Sequence, residues 1–440
     1  MKNLSVSPKK WGVFYYLSLF FLLFVLFFSN DFNLTDVQKT AVIMAVGVDR
    51  EEEEFILTSQ IALPQSSKQG KQTQTVQLVS TGKTVADAFK EINAKTGWYP
   101  KLVFCHLIIL GETTVQQNSF DALDFFLLDE YLSDNCLVAT CEGSAKDLLN
   151  VGALVDPSGS VAMEKVLSAH AERVGAVLPA TLREFAIGYY SSSQSAYLPI
   201  LKTKPQQETG KNQEKQGGTQ GDQDSKDSKE SQGGKSGGQS QSGQSSQSDS
   251  QGGGQNGQGS QSGNQGQSKE QENKPVFSAS ETALFVQGKM VGKFSKEETF
   301  AFNAVKTKLR LASYLVAENG ATTLTIKDNR KQTRVQLGEN GQATMKISLN
   351  LTAGLLDTAN SALYKQSKDA GAITAESLQA AEKLLKSQVI TAFEKCRTLN
   401  CDLFELKQTL LKRRKNEKIS LNSALENCIL QVEVRFKNLR

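Results

Sequence analysis

Residues 343–351 read Ala-Thr-Met-Lys-Ile-Ser-Leu-Asn-Leu, a strict alternation of apolar and polar side chains. A period of two belongs to a β-strand with one buried and one wet face. Downstream, Thr374 is followed by Leu378, Ala381, Leu385, Val389, Ala392, Cys396 and Leu399, a spacing that predicts a long helix with a single apolar stripe. Residues 428–436 return to alternation, with Leu430, Val432, Val434 and Phe436 between Gln431, Glu433 and Arg435. Upstream, 282–286 and 290–294 flank Gln287-Gly288-Lys289, a hairpin signal. Asn-Gly pairs at 319–320 and 340–341 supply the positive φ values of type I′ turns. Residues 275–440 are therefore expected to form a C-terminal α+β domain: hairpins, a long helix across one face of an antiparallel sheet, and a final strand.

Residues 30–205 carry a different rhythm. Strands are predicted over 41–48, 55–63, 75–80, 102–110, 136–140 and 196–201. Helices are predicted over 85–95, capped by Thr84, over 120–128, and over 145–149, capped by Ser144. A helical pattern over 160–190 breaks at Pro179. Connections are irregular and no dinucleotide-type glycine loop is present, so the region reads as α+β in two subdomains rather than doubly wound α/β.

Between these regions lies 206–274, which has no Ala, Val, Ile, Leu, Met, Phe, Trp, Tyr or Cys and holds 16 of the 34 glycines. Such a segment has nothing to bury and is expected to be disordered, a passive spacer or a surface insertion. As a free coil it would have an r.m.s. span of about 45 Å. The net charge of +4 over 440 residues divides into −2 on this tether and +6 elsewhere. That balance argues against nucleic acid or any other strongly charged partner.

At the N-terminus, 11–28 (WGVFYYLSLFFLLFVLFF) is uncharged and, as a helix, spans roughly 27 Å, close to a bilayer core of ~30 Å. Lys2, Lys9 and Lys10 precede it, whereas Asp31 and Asp36 follow. The charge bias puts 1–10 in the cytoplasm, 11–29 in the membrane as an uncleaved anchor, and the rest outside. The rival, a cleaved signal peptide, wants a shorter apolar run and a small-residue site. Here the run ends Phe27-Phe28-Ser29.

No catalytic, cofactor-binding or metal site is expected. The sequence lacks G-x-S-x-G, H-E-x-x-H and a Walker-type loop. Cys136 and Cys141 fall on one strand and face opposite sides. Cys396 and Cys401 would meet only if the helix broke near Asn400. Buried thiols, or one disulfide at that break, are the readings left open. His106 reads as a core residue of an apolar strand. The acidic run 51–54 reads as a hairpin tip, and the basic run 412–415 as a solvated helix end or a lipid-headgroup contact.

The motifs together resemble the Ger(x)C family, the C subunits of spore nutrient-germinant receptors. The resemblance is carried by Ala45-Val46-Gly47-Val48-Asp49, Gly82-Lys83-Thr84 with Ala88, His106 with Gly111-Glu112, and 123–129 running on to 145–149. After the tether it continues in Ala283–Gly292 (ALFVQGKMVG) and Cys401-Asp402-Leu403-Phe404. The chain departs from the family in lacking a lipid-anchoring Cys, in Thr35-Asp36 where Trp-Asp is usual, in Leu128 where Arg is usual, and in the tether.

The resemblance implies a three-domain mixed α and β fold with no catalytic residues. It also implies a place on the outer face of the spore inner membrane, beside a transporter-like integral subunit and a second integral subunit. Two alternatives stand beside it. One is a general cell-envelope assembly or adhesion protein on the same fold. The other is an anchored enzyme using His106 and a nearby carboxylate, which requires a cleft around an open His106.

Overall fold

The computed structural model describes residues 8–29, 40–63, 75–152, 156, 158–168, 175–204, 276–317, 321–338, 342–358, 373–413 and 423–439. The chain divides into two units, Met1–Gln206 with Asn273–Arg440, and Gln207–Glu272. The tether, the Asn-Gly turns at 319–320 and 340–341, and 414–415 of the basic run lie outside the described residues.

Helix α1 (Pro8–Ser29) contains the apolar run, and its described side chains, from Gly12 to Val25 and Phe27, are all exposed. Among the described residues no helix is long and apolar enough to cross a membrane.

The first sheet is built from β1 (Thr40–Glu51), β2 (Glu54–Ala62), β3 (Thr75–Gly82), β4 (Tyr99–Lys101), β5 (Leu107–Leu110), β6 (Leu137–Cys141), β7 (Ser195–Lys204), β8 (Val276–Val286) and β9 (Lys289–Phe294). Its order is β3-β2-β1-β5-β6-β7-β8-β9, with β4 also on β1. It is mixed: β1, β4, β5, β6 and β7 run parallel, and β2, β3, β8 and β9 join antiparallel. This departs from the antiparallel sheets expected, because helices in the intervening segments carry the chain back so that strands re-enter in the same direction.

Helices α2 (Val85–Thr96), α3 (Glu112–Gln116), α4 (Ser119–Leu128), α5 (Ala145–Asn150), α6 (Gly159–Leu167) and α7 (Leu182–Tyr190) accompany this sheet. Thr84 caps α2 and Ser144 caps α5, as their sequences predict. Alternate strand residues serve two cores. Ile108, Leu110 and Val138 pack with α2, α4 and α7; Leu107, Ile109 and Ala139 pack with α5 and α6. Burial on both faces explains why β5 reads Leu-Ile-Ile-Leu without a polar residue. Cys136 and Cys141 fall in opposite cores.

The strand expected over 102–110 is shorter. Strands β4 and β5 both lie along β1, and 102–106 loops out between them, leaving Val103 and Phe104 exposed. Parallel register sets the level of this loop: Thr40 is opposite Tyr99, Ala45 opposite Leu107, and Leu107 opposite Leu137. Strands β1 and β4 therefore start at one rim of the sheet, and β5 and β6 start at the same end, five positions farther in.

Strands β7 and β8 pair antiparallel, with the last residue of β7, Lys204, opposite the first of β8, Val276. Partner Cα atoms in an antiparallel ladder lie about 5 Å apart. The residues that flank the tether are thus neighbours across a strand pair, so its free-coil span of about 45 Å is not a separation of the two ordered stretches. Strands β8 and β9, beyond the tether, complete the sheet begun at β1. Gln287 and Gly288 make their turn with φ of 50° and 79°.

Helix α8 (Lys296–Lys306) follows, with the capping box Ser295/Glu298. The second sheet contains β10 (Ala312–Val316), β11 (Thr322–Leu337), β12 (Ala343–Thr358) and β13 (Ile429–Asn438) in chain order. Helices α9 (Ala375–Thr398) and α10 (Leu406–Arg413) lie between its last two strands. Ala381, Leu385, Val389, Ala392 and Cys396 of α9 are buried, the stripe expected from their spacing, and share a core with β11, β12 and β13. Burying each large aliphatic side chain contributes about 1.5–3 kcal/mol. Strand β13 pairs parallel to β12, not antiparallel, because α9 carries the chain back before the last strand starts.

Candidate functional site

A cleft of about 140 Å³, lined by both polar and apolar side chains, opens where the end of α7 and the start of β7 meet the turn between α9 and α10. Three serines at alternate positions line one side. Ser191 Oγ donates to Gly188 O at 2.7 Å and lies 2.9 Å from Ser193 Oγ, and Ser195 Oγ donates to Ser193 O at 2.8 Å. The other side holds Asp402, Glu405 and Lys306, the last two joined as an ion pair.

The α9–α10 turn is unusual backbone. Asn400 and Glu405 both adopt left-handed φ, 50° and 59°, a conformation that costs non-glycine residues about 1–2 kcal/mol each. Asp402, 1% exposed, offsets that cost. Its Oδ1 accepts from Leu406 N at 2.9 Å and its Oδ2 from Lys407 N at 2.8 Å, while its own amide donates to Ser195 Oγ at 3.0 Å. Burial raises the carboxyl above its ordinary range, against the pull of those two backbone donors. The polar groups at the cleft are thus engaged with one another and with the backbone. Each serine hydroxyl is directed at a carbonyl or another hydroxyl, and among the described residues that line the cleft there is no imidazole.

The other motif residues also serve the backbone. Asp49, at the end of β1, accepts from Ala145 N at 2.8 Å, Lys146 N at 3.0 Å and Ser144 Oγ at 2.9 Å, seating α5 on the sheet. Gly111 makes room for it: a Cβ there would come within 1.9 Å of Asp49 Oδ1. Glu112 accepts from Gly143 N at 2.9 Å. Asp129 accepts from Tyr131 N at 2.9 Å and Leu132 N at 3.0 Å. Residues far apart in sequence are thus placed as caps and junctions in one folded body.

Comparison with known protein families matches both ordered regions of the chain. The domain described as "Spore germination protein N-terminal domain" matches residues 33–203, and the domain described as "Spore germination B3/ GerAC like, C-terminal" matches residues 280–437. The chain belongs to the Ger(x)C family. A crystal structure of the GerBC protein is similar at 14% identity over 90% of this chain and 97% of that one, with a TM-score of 0.45. No curated protein matches the chain.

In this Ger(x)C chain the two matched stretches meet at the β7–β8 strand pair. His106 stands just before β5, with its side chain 19% exposed and Nε2 3.6 Å from Glu164 Oε2, and lines neither this cleft nor the one between α4 and α7. All six cysteines are free, buried thiols. The helix does break at Asn400, where Cys401 N donates to Cys396 O at 2.9 Å. Among the described residues no group of three or more His, Cys, Asp or Glu is placed to hold a metal ion. Ser191, Ser193 and Ser195 escape sequence reading because serines before a strand carry the signal of any loop.

Proposed function

We propose that this Ger(x)C chain is a non-enzymatic, membrane-anchored subunit of a spore germinant receptor complex. The observation that carries this reading is the pair of germination-protein domains, matched at 33–203 and 280–437, whose strands join in one sheet. The uncharged run 11–28 supports a single-pass anchor with the ectodomain outside the cytoplasm, on the spore inner membrane. The motif aspartates support a scaffolding role, since Asp49, Asp129 and Asp402 commit their carboxylates to backbone amides rather than to a reacting group. Its partners are integral-membrane receptor subunits, one of them transporter-like.

The test is deletion of the gene in a strain without a redundant copy, with spore germination scored against a panel of nutrients. Loss of response to at least one nutrient, restored by the intact gene, is expected. Wild-type response to every nutrient would overturn the reading.

A further inference from the structure

The sheet rim at which β1 starts carries apolar side chains that the fold leaves uncovered. Phe104 is 63% exposed, and Tyr99, Val103 and Tyr131 are also exposed. They belong together. Tyr99 is the register partner of Thr40, Val103 and Phe104 bulge from the loop entering β5, and Tyr131 stands in the loop leading to β6. Lys101 Nζ lies over the Tyr131 ring, 4.3 Å from its centroid, tying the two loops.

We infer that this rim rests on the lipid surface, with Phe104 and Val103 inserted among the headgroups and Tyr99, Tyr131 and Lys101 at the water boundary. The inference rests on the anchor reading above. Only residues 30–39 join Ser29 to Thr40, so Thr40 stands no more than roughly 40 Å along the chain from the end of α1. The register then brings the rim, rather than another part of the sheet, nearest the point where the chain leaves the bilayer. The chemistry suits that place. Tyrosines present an apolar body and a polar tip, and lysines extend an apolar stem toward headgroups.

The test uses full-length protein in phosphatidylcholine vesicles, with and without brominated acyl chains. The sequence has two tryptophans, Trp11 and Trp98. One variant carries Phe104→Trp with Trp11→Phe and Trp98→Phe, and reports the rim. A second carries only Trp98→Phe, and its remaining Trp11 reports the anchor. The rim variant is expected to emit at shorter wavelength than an exposed indole and to lose about half its intensity in brominated vesicles. Equal emission in both vesicle types overturns the inference, whatever Trp11 does. If Trp11 is quenched and the rim is not, the anchor stands and the lipid contact falls. If the rim alone is quenched, the contact stands and the anchor falls. A Tyr131→Trp variant in the same background repeats the measurement from the second loop. Shielding of the rim from aqueous quenchers in native membranes without quenching by lipid would overturn lipid contact in favour of a protein partner.

Discussion

The main-chain amide of Asp402 donates to the hydroxyl of Ser195 at 3.0 Å, across 207 positions of the chain. The bond fastens the start of β7 to the strained turn behind α9. Both groups are buried, so removing the acceptor leaves the amide without its protein partner. Ser195→Ala is expected to cost about 1–3 kcal/mol. Ser193→Ala, whose hydroxyl is shared with Ser191, is expected to cost less, at most about 1 kcal/mol. Urea unfolding checks both. Equal midpoints for wild type and Ser195→Ala would show that the bond does not hold the turn.

Asp49 and Gly111 are predicted to be coupled. Asp49→Ala removes the acceptor that seats α5 and should cost about 2 kcal/mol or more. Gly111→Ala drives a methyl onto Asp49 Oδ1 and should destabilise by displacing the same carboxylate. In the Asp49→Ala background the methyl meets less, so the double variant should fall short of the sum by about 0.5–3 kcal/mol. A double-mutant cycle from denaturant midpoints gives the coupling, and strict additivity would refute it.

Acid is expected to loosen the β6–β9 end of the first sheet. Glu142 just past β6, Lys202 on β7, Glu281 on β8 and Lys293 on β9 form a ring of ion pairs at 2.6–3.1 Å. The Lys202 hydrogen bond holds Glu142 below its ordinary 4.5. Burial pushes Glu281 the other way, but Lys202 and Lys293 together bring it below 4.5 as well. A carboxyl with a depressed folded pKa contributes stability that is present above pH 4.5 and lost as pH falls through the folded value. The ring is partly exposed, so the loss is modest, under about 1 kcal/mol. The urea midpoint should fall below pH 4.5, with a shallower slope in Glu142→Gln. Parallel slopes in the two proteins would count against the ring.

The thiols should be silent until the chain opens. Burial pushes Cys401 up to about 12 and holds Cys396 well above the usual thiol range. Cys136 is raised by its hydrogen bond with Cys105 and by burial. A thiol-specific colorimetric reagent at pH 8 should therefore react slowly with native protein and with six equivalents after unfolding in oxygen-free denaturant. A fast native phase would contradict the buried placement.

Local pattern carried much of this fold. The alternation of 343–351, the stripe behind Thr374 and the caps Thr84 and Ser144 each specify their element from neighbours alone, and β12, α9, α2 and α5 stand where they point. Residues 102–106 misled because Leu102 and Cys105 are buried by tertiary contacts while Val103 and Phe104 are not, and apolar content alone cannot separate the two. Helix α8 had a readable capping box at Ser295 and Glu298, but its buried face includes Glu298, Thr299 and Asn303, which blur the apolar stripe. The pairing of β7 with β8, the direction of β13 and the cleft around Asp402 depend on partners remote in sequence. No window of neighbouring residues contains that information.

The long stretch of chain between β7 and β8 also has a meaning in time. Residues 205–275 are synthesised between Lys204 and its partner Val276, which at roughly 5–20 residues per second takes about 4–14 s. Throughout that interval β7 is the open edge of a growing sheet, the kind of surface that recruits stray strands. The segment emerging beside it contains no apolar side chain over 206–274 and so has no strand to offer. Until β8 arrives, the nascent edge is followed by a stretch of chain whose composition competes poorly for it.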